Sequence, residues 1–271
     1  MTAGTRVGRY ALEEVLGEGA MGVVYRAVRD EDGAVVALKL LRAELAADAV
    51  YRQRFLREAR VAAEVEHPHL VSILEAGEEG GRPYLAARYV AGGSLAARIG
   101  GSGPLSVEET LAVAAQVGAG LDALHAAGLV HRDVKPSNVM LDESGAALLC
   151  DYGLAKGRAY TVLTRPGQVM GTLDYLAPEL IRTGQAGTAS DVYALGCVVY
   201  ECLAGGPPFG GLNAFQVGAA HLEEEPPDPC ARRSDAPQSL SWAVLRALEK
   251  DPARRPNTGT AYAHMLSLAA R

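Results

Sequence analysis

Four short stretches of this 271-residue chain concentrate its reactive and ligand-binding side chains. The first is Gly17-x-Gly19-x-x-Gly22-x-Val24, followed by Val36-Ala37-Leu38-Lys39. Far downstream come His131-Arg132-Asp133-Val134-Lys135-Pro136-Ser137-Asn138 and Asp151-Tyr152-Gly153. A glycine-rich turn lets backbone N–H groups approach an anion without Cβ obstruction. Lys39 supplies a cation for phosphates and Asp133 a base. Asn138 and Asp151 supply oxygen ligands of the kind a hard cation such as Mg²⁺ prefers. Any one stretch alone is weak evidence, because glycine and aspartate mark ordinary turns. Together they are an inventory for moving a phosphoryl group from ATP.

Those residues need a scaffold, and the periodicity of the chain outlines one. Residues 10–16, 23–29 and 34–40 are short segments rich in β-branched, aromatic or aliphatic side chains, with turns at 17–22 and 31–33 between them. They read as an antiparallel meander. Segments 70–74 and 83–90 complete an expected five-stranded sheet. One helix, over 48–64, interrupts it and carries the stripe Phe55, Ala59 and Ala62, within which Glu58 falls. A carboxylate on a packed face needs a cationic partner. After Ala91-Gly92-Gly93 the pattern turns helical. Ser106-Val107-Glu108-Glu109 is a capping box opening a helix that ends near Gly128. Residues 190–203 are apolar almost all round, which predicts a buried helix stopped by Gly205-Gly206-Pro207-Pro208. Helices around 239–249 and 260–270 follow.

The glycines sit on a strand-turn-strand, which decides against a dinucleotide-binding fingerprint, where a helix must follow them. The chain also lacks GxxxxGK[ST], so a P-loop is not expected. Lys+Arg 26 against Asp+Glu 32 gives a net charge of −6, against general attraction to nucleic acid or anionic lipid. No apolar run approaches the length of a membrane span, and the first residues carry no secretion signal pattern, so a cytoplasmic location is expected. The cysteines (Cys150, Cys197, Cys202 and Cys230) show no metal-binding spacing. Cys197 and Cys202 read as core fillers and Cys150 as a buried strand residue, with a thiol accessible from the nucleotide pocket as the alternative.

On the four motifs, the chain resembles the eukaryotic-like protein kinases, most closely the bacterial Ser/Thr kinases, from about Tyr10 to its end. The resemblance implies an α+β, bilobal fold: a small antiparallel β-sheet lobe with one key helix (about 10–91) and a larger, mainly helical lobe (about 94–271). A hinge is expected near 87–93, with a small-molecule cleft between the lobes. It implies ATP as the donor and Mg²⁺ as the ion, with Mn²⁺ as an alternative. ATP would be held by Leu16, Gly17, Glu18, Gly19, Ala20, Gly22, Val24, Ala37, Lys39, Arg88, Val90 and Met140. Lys39 would bind the α- and β-phosphates and pair with Glu58, so that each charge on an apolar element satisfies the other. Asp133 would accept or orient the substrate hydroxyl proton, and Lys135 would neutralise charge on the γ-phosphoryl. Asn138 and Asp151 would hold the metal.

Lys135 in this loop accompanies Ser/Thr specificity in the family, and Gly171-Thr172 before Ala177-Pro178-Glu179 fits the same assignment. The implied partners are protein substrates. Glu179 is expected to pair with Arg255, and Asp191 to brace the catalytic loop. Thr164 falls where related bacterial kinases autophosphorylate, with Thr161 a weaker candidate and Arg132 the receiving cation. Related bacterial kinases can also pair back to back through the small lobe, and Arg9 and Glu75 fall at the matching places. Relatives often continue into a transmembrane helix, so the chain could be the cytoplasmic domain of a longer membrane-anchored protein.

Several residues depart from the family pattern. Tyr152 replaces the usual Phe, Ala87 is small at the rear of the adenine pocket, Arg88 replaces an acidic residue, and Ala62 is small on the helix inner face. A pseudokinase scaffold is disfavoured by the complete set of catalytic residues. A small-molecule phosphotransferase is disfavoured by the peptide-docking segment from Asp151 to Glu179.

Overall fold

The structure, a computed structural model, describes residues 5–152, 173–231 and 233–271. The chain divides into two compact units, Met1–Ala91 and Gly92–Arg271.

In the first unit the meander runs β1 (Arg6–Val7), β2 (Tyr10–Glu18), β3 (Gly22–Arg29) and β4 (Val35–Leu41). Then come α1 (Ala43–Ala46), α2 (Ala49–Ala63), β5 (Ile73–Glu79) and β6 (Arg82–Arg88). The sheet has six strands in the order β1-β2-β3-β4-β6-β5, every pair antiparallel. The expected five-stranded count misses the two-residue β1, and the strand expected over 70–74 lies instead at Ile73–Glu79. Alternation explains the packing: Tyr25, Ala27, Val36, Leu38, Leu40, Tyr84 and Ala86 point to one face and form a buried cluster with Val7, Tyr10 and Leu12. Helix α2 starts where Asp48 accepts from the N–H groups of Val50 and Tyr51, and it buries Phe55, Ala59 and Ala62 as its stripe predicts.

The second unit begins with α3 (Leu95–Ser102) and α4 (Val107–Ala126), the latter opened by the expected capping box between Ser106 and Glu109. A 3-10 turn (Pro136–Asn138) leads into a two-stranded sheet, β7 (Val139–Leu141) and β8 (Ala147–Leu149). Helices α5 (Pro178–Thr183), α6 (Thr188–Ala204), α7 (Ala214–Glu223), α8 (Gln238–Ala247) and α9 (Gly259–Ala269) follow. Helix α6 is buried nearly all round, as its composition requires. Helix α9 lies against α4, where the Asp122 carboxylate accepts from the N–H groups of Gly259 and Thr260 and so caps the incoming helix. Cys197 and Cys202 are fully buried, and burial pushes both thiols up. Cys150 departs from the buried-strand reading: it is half-exposed and sits one residue beyond β8. Among the described residues no helix is long and apolar enough to cross a membrane.

Candidate active site

The predicted site residues fall into two groups, one in each unit. In the first, strand register aligns the phosphate-binding candidates. Gly17 lies opposite Val24, Val24 opposite Lys39, and Lys39 opposite Leu85, so one row crosses β2, β3, β4 and β6. Directly paired residues project from the same face, here the face opposite the buried cluster. Ala37 and Ala87 form the next pair on that face. A lysine at this position is half-exposed and escapes the core that holds its neighbours Leu38 and Leu40. Leu16, Gly17, Glu18, Gly19 and Ala20 lie exposed on the hairpin. Its glycines are not equivalent. A Cβ on Gly22 would lie 2.3 Å from the Leu40 carbonyl oxygen, so only glycine fits there. A Cβ on Gly17 or Gly19 would meet nothing within 4 Å. That open space is what an anion above the backbone requires.

Two candidates fit this face less directly. Arg88 pairs with Val36, so its side chain has the parity of the buried face at an exposed strand end. Its backbone N–H is taken by the Ser72 carbonyl at 2.9 Å. Val90 is buried just beyond β6. On α2, Glu58 is half-buried and its Oε1 accepts from Arg54 Nε at 2.8 Å, one helical turn earlier. A Lys39 partner would share that carboxylate with Arg54.

In the second unit the HRD stretch, with Lys135 and Asn138, folds into one hydrogen-bonded knot. Asp133 is 9% exposed. Its Oδ2 receives Lys135 Nζ at 3.1 Å and Asn138 Nδ2 at 2.8 Å, and Asn138 Nδ2 also donates to the Asp133 carbonyl at 2.8 Å. The charge of Lys135 and the amide of Asn138 therefore aim one carboxylate oxygen. His131 is fully buried. Its Nδ1 accepts from the Asp133 N–H at 3.1 Å, so the proton sits on Nε2, which donates to the Cys150 carbonyl at 3.0 Å. That bond ties the His131–Asn138 stretch to the residue before Asp151. Val139 pairs with Leu149, and Cys150 N–H donates to the Asn138 carbonyl, which brings the Asn138 and Asp151 backbones side by side. Met140 lies on β7, bridged to Ser94.

The oxygen chemistry of this pair fits a small hard cation. Both donors of the Asn138 amide are spent on Asp133, which leaves Oδ1 as the atom for a metal. Asp151 takes a left-handed backbone, φ 64°, unusual for a residue with a side chain. Among the described residues no group of three or more His, Cys, Asp or Glu could hold a metal. A carboxylate and an amide oxygen are the donor types that hard divalent cations take.

The protein kinase domain family matches residues 10–266. The chain belongs to that family. It is 40% identical to the serine/threonine-protein kinase PknE of Mycobacterium tuberculosis over 252 residues, covering 93% of this chain and 44% of that relative. It is 38% identical to PknH of Mycobacterium bovis over 252 residues, covering 93% and 42%. A crystal structure of the M. tuberculosis PknI kinase domain superposes with a TM-score of 0.80 at 33% identity, covering 100% of this chain and 99% of that one. The chain thus spans less than half the length of the curated relatives it matches. The fold is the protein-kinase fold, a family that uses ATP and a divalent metal.

Two supports of the kinase loop expected from the resemblance are in place. Asp191, 1% exposed, accepts from His131 N–H at 2.8 Å through Oδ2 and from Arg132 N–H at 2.9 Å through Oδ1. Arg132 has φ 67°, and these bonds help hold it there. Arg255, its side chain fully buried, clasps Glu179 through two 2.8 Å bonds. Burial opposes the Glu179 charge, but Arg255 outweighs it and holds the carboxyl below its ordinary range. Ser190 adds a third bond at 2.7 Å. Tyr152 packs against His131, and burial raises its hydroxyl pKa.

Sequence reasoning missed His125. Its Nε2 lies 2.8 Å from Asp191 Oδ2, so the last turn of α4 supports the carboxylate that braces the loop. The available signal was a lone histidine on an otherwise apolar helix end. The remaining expectations (Gly153, Thr161, Thr164, Gly171 and Thr172) lie outside the described residues.

Arg9 and Glu75 meet within one chain. Arg9 Nε donates to Glu75 Oε2 at 2.8 Å, and the same carboxylate accepts from Tyr10 and Tyr84. An ion pair expected between partners is thus already formed inside the monomer.

Proposed function

We propose that this chain is the catalytic domain of a protein Ser/Thr kinase, transferring the γ-phosphoryl group of ATP to serine and threonine hydroxyls. The observation that carries the reading is the Asp133 carboxylate, aimed by Lys135 and Asn138 within 3.1 Å. In this reading Asp133 Oδ receives the acceptor hydroxyl proton, while Lys135 offsets charge on the transferring group. Lys39, paired with Glu58, would hold the α- and β-phosphates at Gly17–Gly22, and Ala37, Val24 and Val90 would contact the adenine from the first unit. Asn138 Oδ1 and the Asp151 carboxylate would hold Mg²⁺ or Mn²⁺, which would supply positive charge to offset that of the phosphates. Lys135 supports Ser/Thr over Tyr acceptors, as does the likeness to named serine/threonine-protein kinases.

The reaction belongs on the cytoplasmic side, where ATP is. Autophosphorylation at Thr164, received by Arg132, is the proposed activation step. Back-to-back pairing of two copies through the first unit is proposed as well. Reversing Arg9 would first disturb its own chain, so the readout is the dependence of autophosphorylation on enzyme concentration. The test of function itself is incubation with γ-labelled ATP, Mg²⁺ and a mixed protein substrate, followed by phosphoamino-acid analysis. Label on serine and threonine supports the reading; label on tyrosine alone, or none in a preparation that binds ATP, refutes it.

A further inference from the structure

The tip of the glycine-rich hairpin is held by a residue outside the motif. Gly19 N–H donates to the Gly22 carbonyl at 2.9 Å and closes the turn. Arg42, the residue after β4, then engages two tip residues at once. Its backbone N–H donates to the Met21 carbonyl at 2.9 Å, and its side-chain Nε–H donates to the Gly19 carbonyl at 2.9 Å. The Arg42 backbone is itself anchored, because its carbonyl accepts from Leu45 and Ala46 as α1 begins. Although Arg42 stands at the N-cap position of α1, its side chain makes no capping bond there. It is directed to the hairpin instead.

The electrostatics give this arrangement a purpose. A turn presents both carbonyls and N–H groups, and only the N–H groups attract phosphate. Free carbonyls would repel it. Arg42 occupies the Gly19 and Met21 carbonyls and places a full positive charge one hydrogen bond from the tip. The N–H groups of Ala20 and Met21 have no acceptor among the described residues. We propose that Arg42 is a positioning residue for the triphosphate: it straps the tip so that the Ala20 and Met21 amides are set toward the phosphates before ATP arrives. The strap cuts the ordering cost of binding, which is the general benefit of preorganisation. The proposal rests on the nucleotide reading of Gly17–Gly22 given above.

Hydrogen exchange of residues 17–22 and steady-state kinetics, on wild type and on Arg42→Ala and Arg42→Lys, test it. Without nucleotide, Arg42→Ala is expected to speed exchange in that segment. Its KM for ATP should rise roughly 3- to 10-fold while kcat stays within about twofold, the pattern of lost uniform binding. Arg42→Lys keeps the charge but loses the Nε–H, and should fall between the two. Arg57→Ala, an exposed cation on α2, should match wild type. Exchange and KM for ATP unchanged in Arg42→Ala would overturn the strap, as would a fall in kcat with KM unchanged. Protection of 17–22 by ATP and Mg²⁺ in wild type separates the two levels. If it is absent, the nucleotide reading of the hairpin itself fails. If it is present and identical in Arg42→Ala, only the strap fails.

Discussion

The hairpin at Gly17–Gly22 and the loop at His131–Asn138 hold their functional groups in opposite ways. Gly17–Ala20 are exposed, and the tip rests on one turn bond and the two donors of Arg42. The loop is largely buried and over-determined: His125, Asp191, His131, Lys135 and Asn138 together fix Asp133 and the unusual Arg132 backbone. A cover for phosphates must admit and release a ligand, which suits few and exposed bonds. A base must be aimed to within tenths of an ångström, which suits many buried ones.

The largest expected effect is at the rigid end. Asp133→Asn should lower kcat by about 10²–10⁴-fold with the fold intact, and Asp151→Ala or chelation of the divalent ion should abolish transfer. Thermal melts run beside the kinetics confirm that folding survives. Next, Arg255→Ala should destabilise the second unit by about 3–5 kcal/mol, because it leaves the Glu179 charge largely buried and unpaired. Equilibrium denaturation reads this, and a loss under 1 kcal/mol would contradict the buried clasp.

A smaller effect follows from His221, buried on α7 with Tyr193 hydroxyl 2.7 Å from its Nδ1. Burial, with Lys250 nearby, lowers its pKa from 6.5 to about 4. The folded state therefore prefers the neutral ring. This contribution is fully present above pH 6.5 and is lost as pH falls toward 4, up to about 3 kcal/mol. In His221→Gln the slope of stability against pH across that window should flatten. An unchanged slope would assign acid sensitivity elsewhere. The smallest effect contrasts glycines within the hairpin. Gly22→Ala should cost about 1–3 kcal/mol, since its Cβ meets the Leu40 carbonyl, while Gly17→Ala should alter stability by under about 0.5 kcal/mol. Equal costs would remove the distinction drawn between them.

The buried loop was also the more legible of the two in sequence, because its chemistry is compressed into eight consecutive residues. The meander and α2 were legible as well, since alternation and the Phe55–Ala59–Ala62 stripe are local patterns. Strand β5 was not: Glu75, Glu78 and Glu79 look unlike strand residues, and what accommodates Glu75 is Tyr10, Tyr84 and Arg9 from elsewhere in the sheet. Helix α3 ends in Ile99-Gly100-Gly101-Ser102, a weak helical signal, although the Ser94 cap was available to mark its start. Helix α7 likewise carries a legible Asn213–Gln216 capping box. His125 and Arg42 were invisible for a common reason. Each acts through a partner distant in sequence, Asp191 in one case and Gly19 in the other, and no short motif records that distance.

A single-turnover measurement reads whether the Asp133 carboxylate drives transfer to a protein hydroxyl. Labelled ATP, Mg²⁺ and a serine/threonine-containing substrate are mixed with wild type or Asp133→Asn, with ATP affinity measured in parallel. ATP affinity should be equal in the two proteins, and phosphoryl transfer at least about 10²-fold slower in the variant. Equal transfer rates at equal affinity would contradict that role.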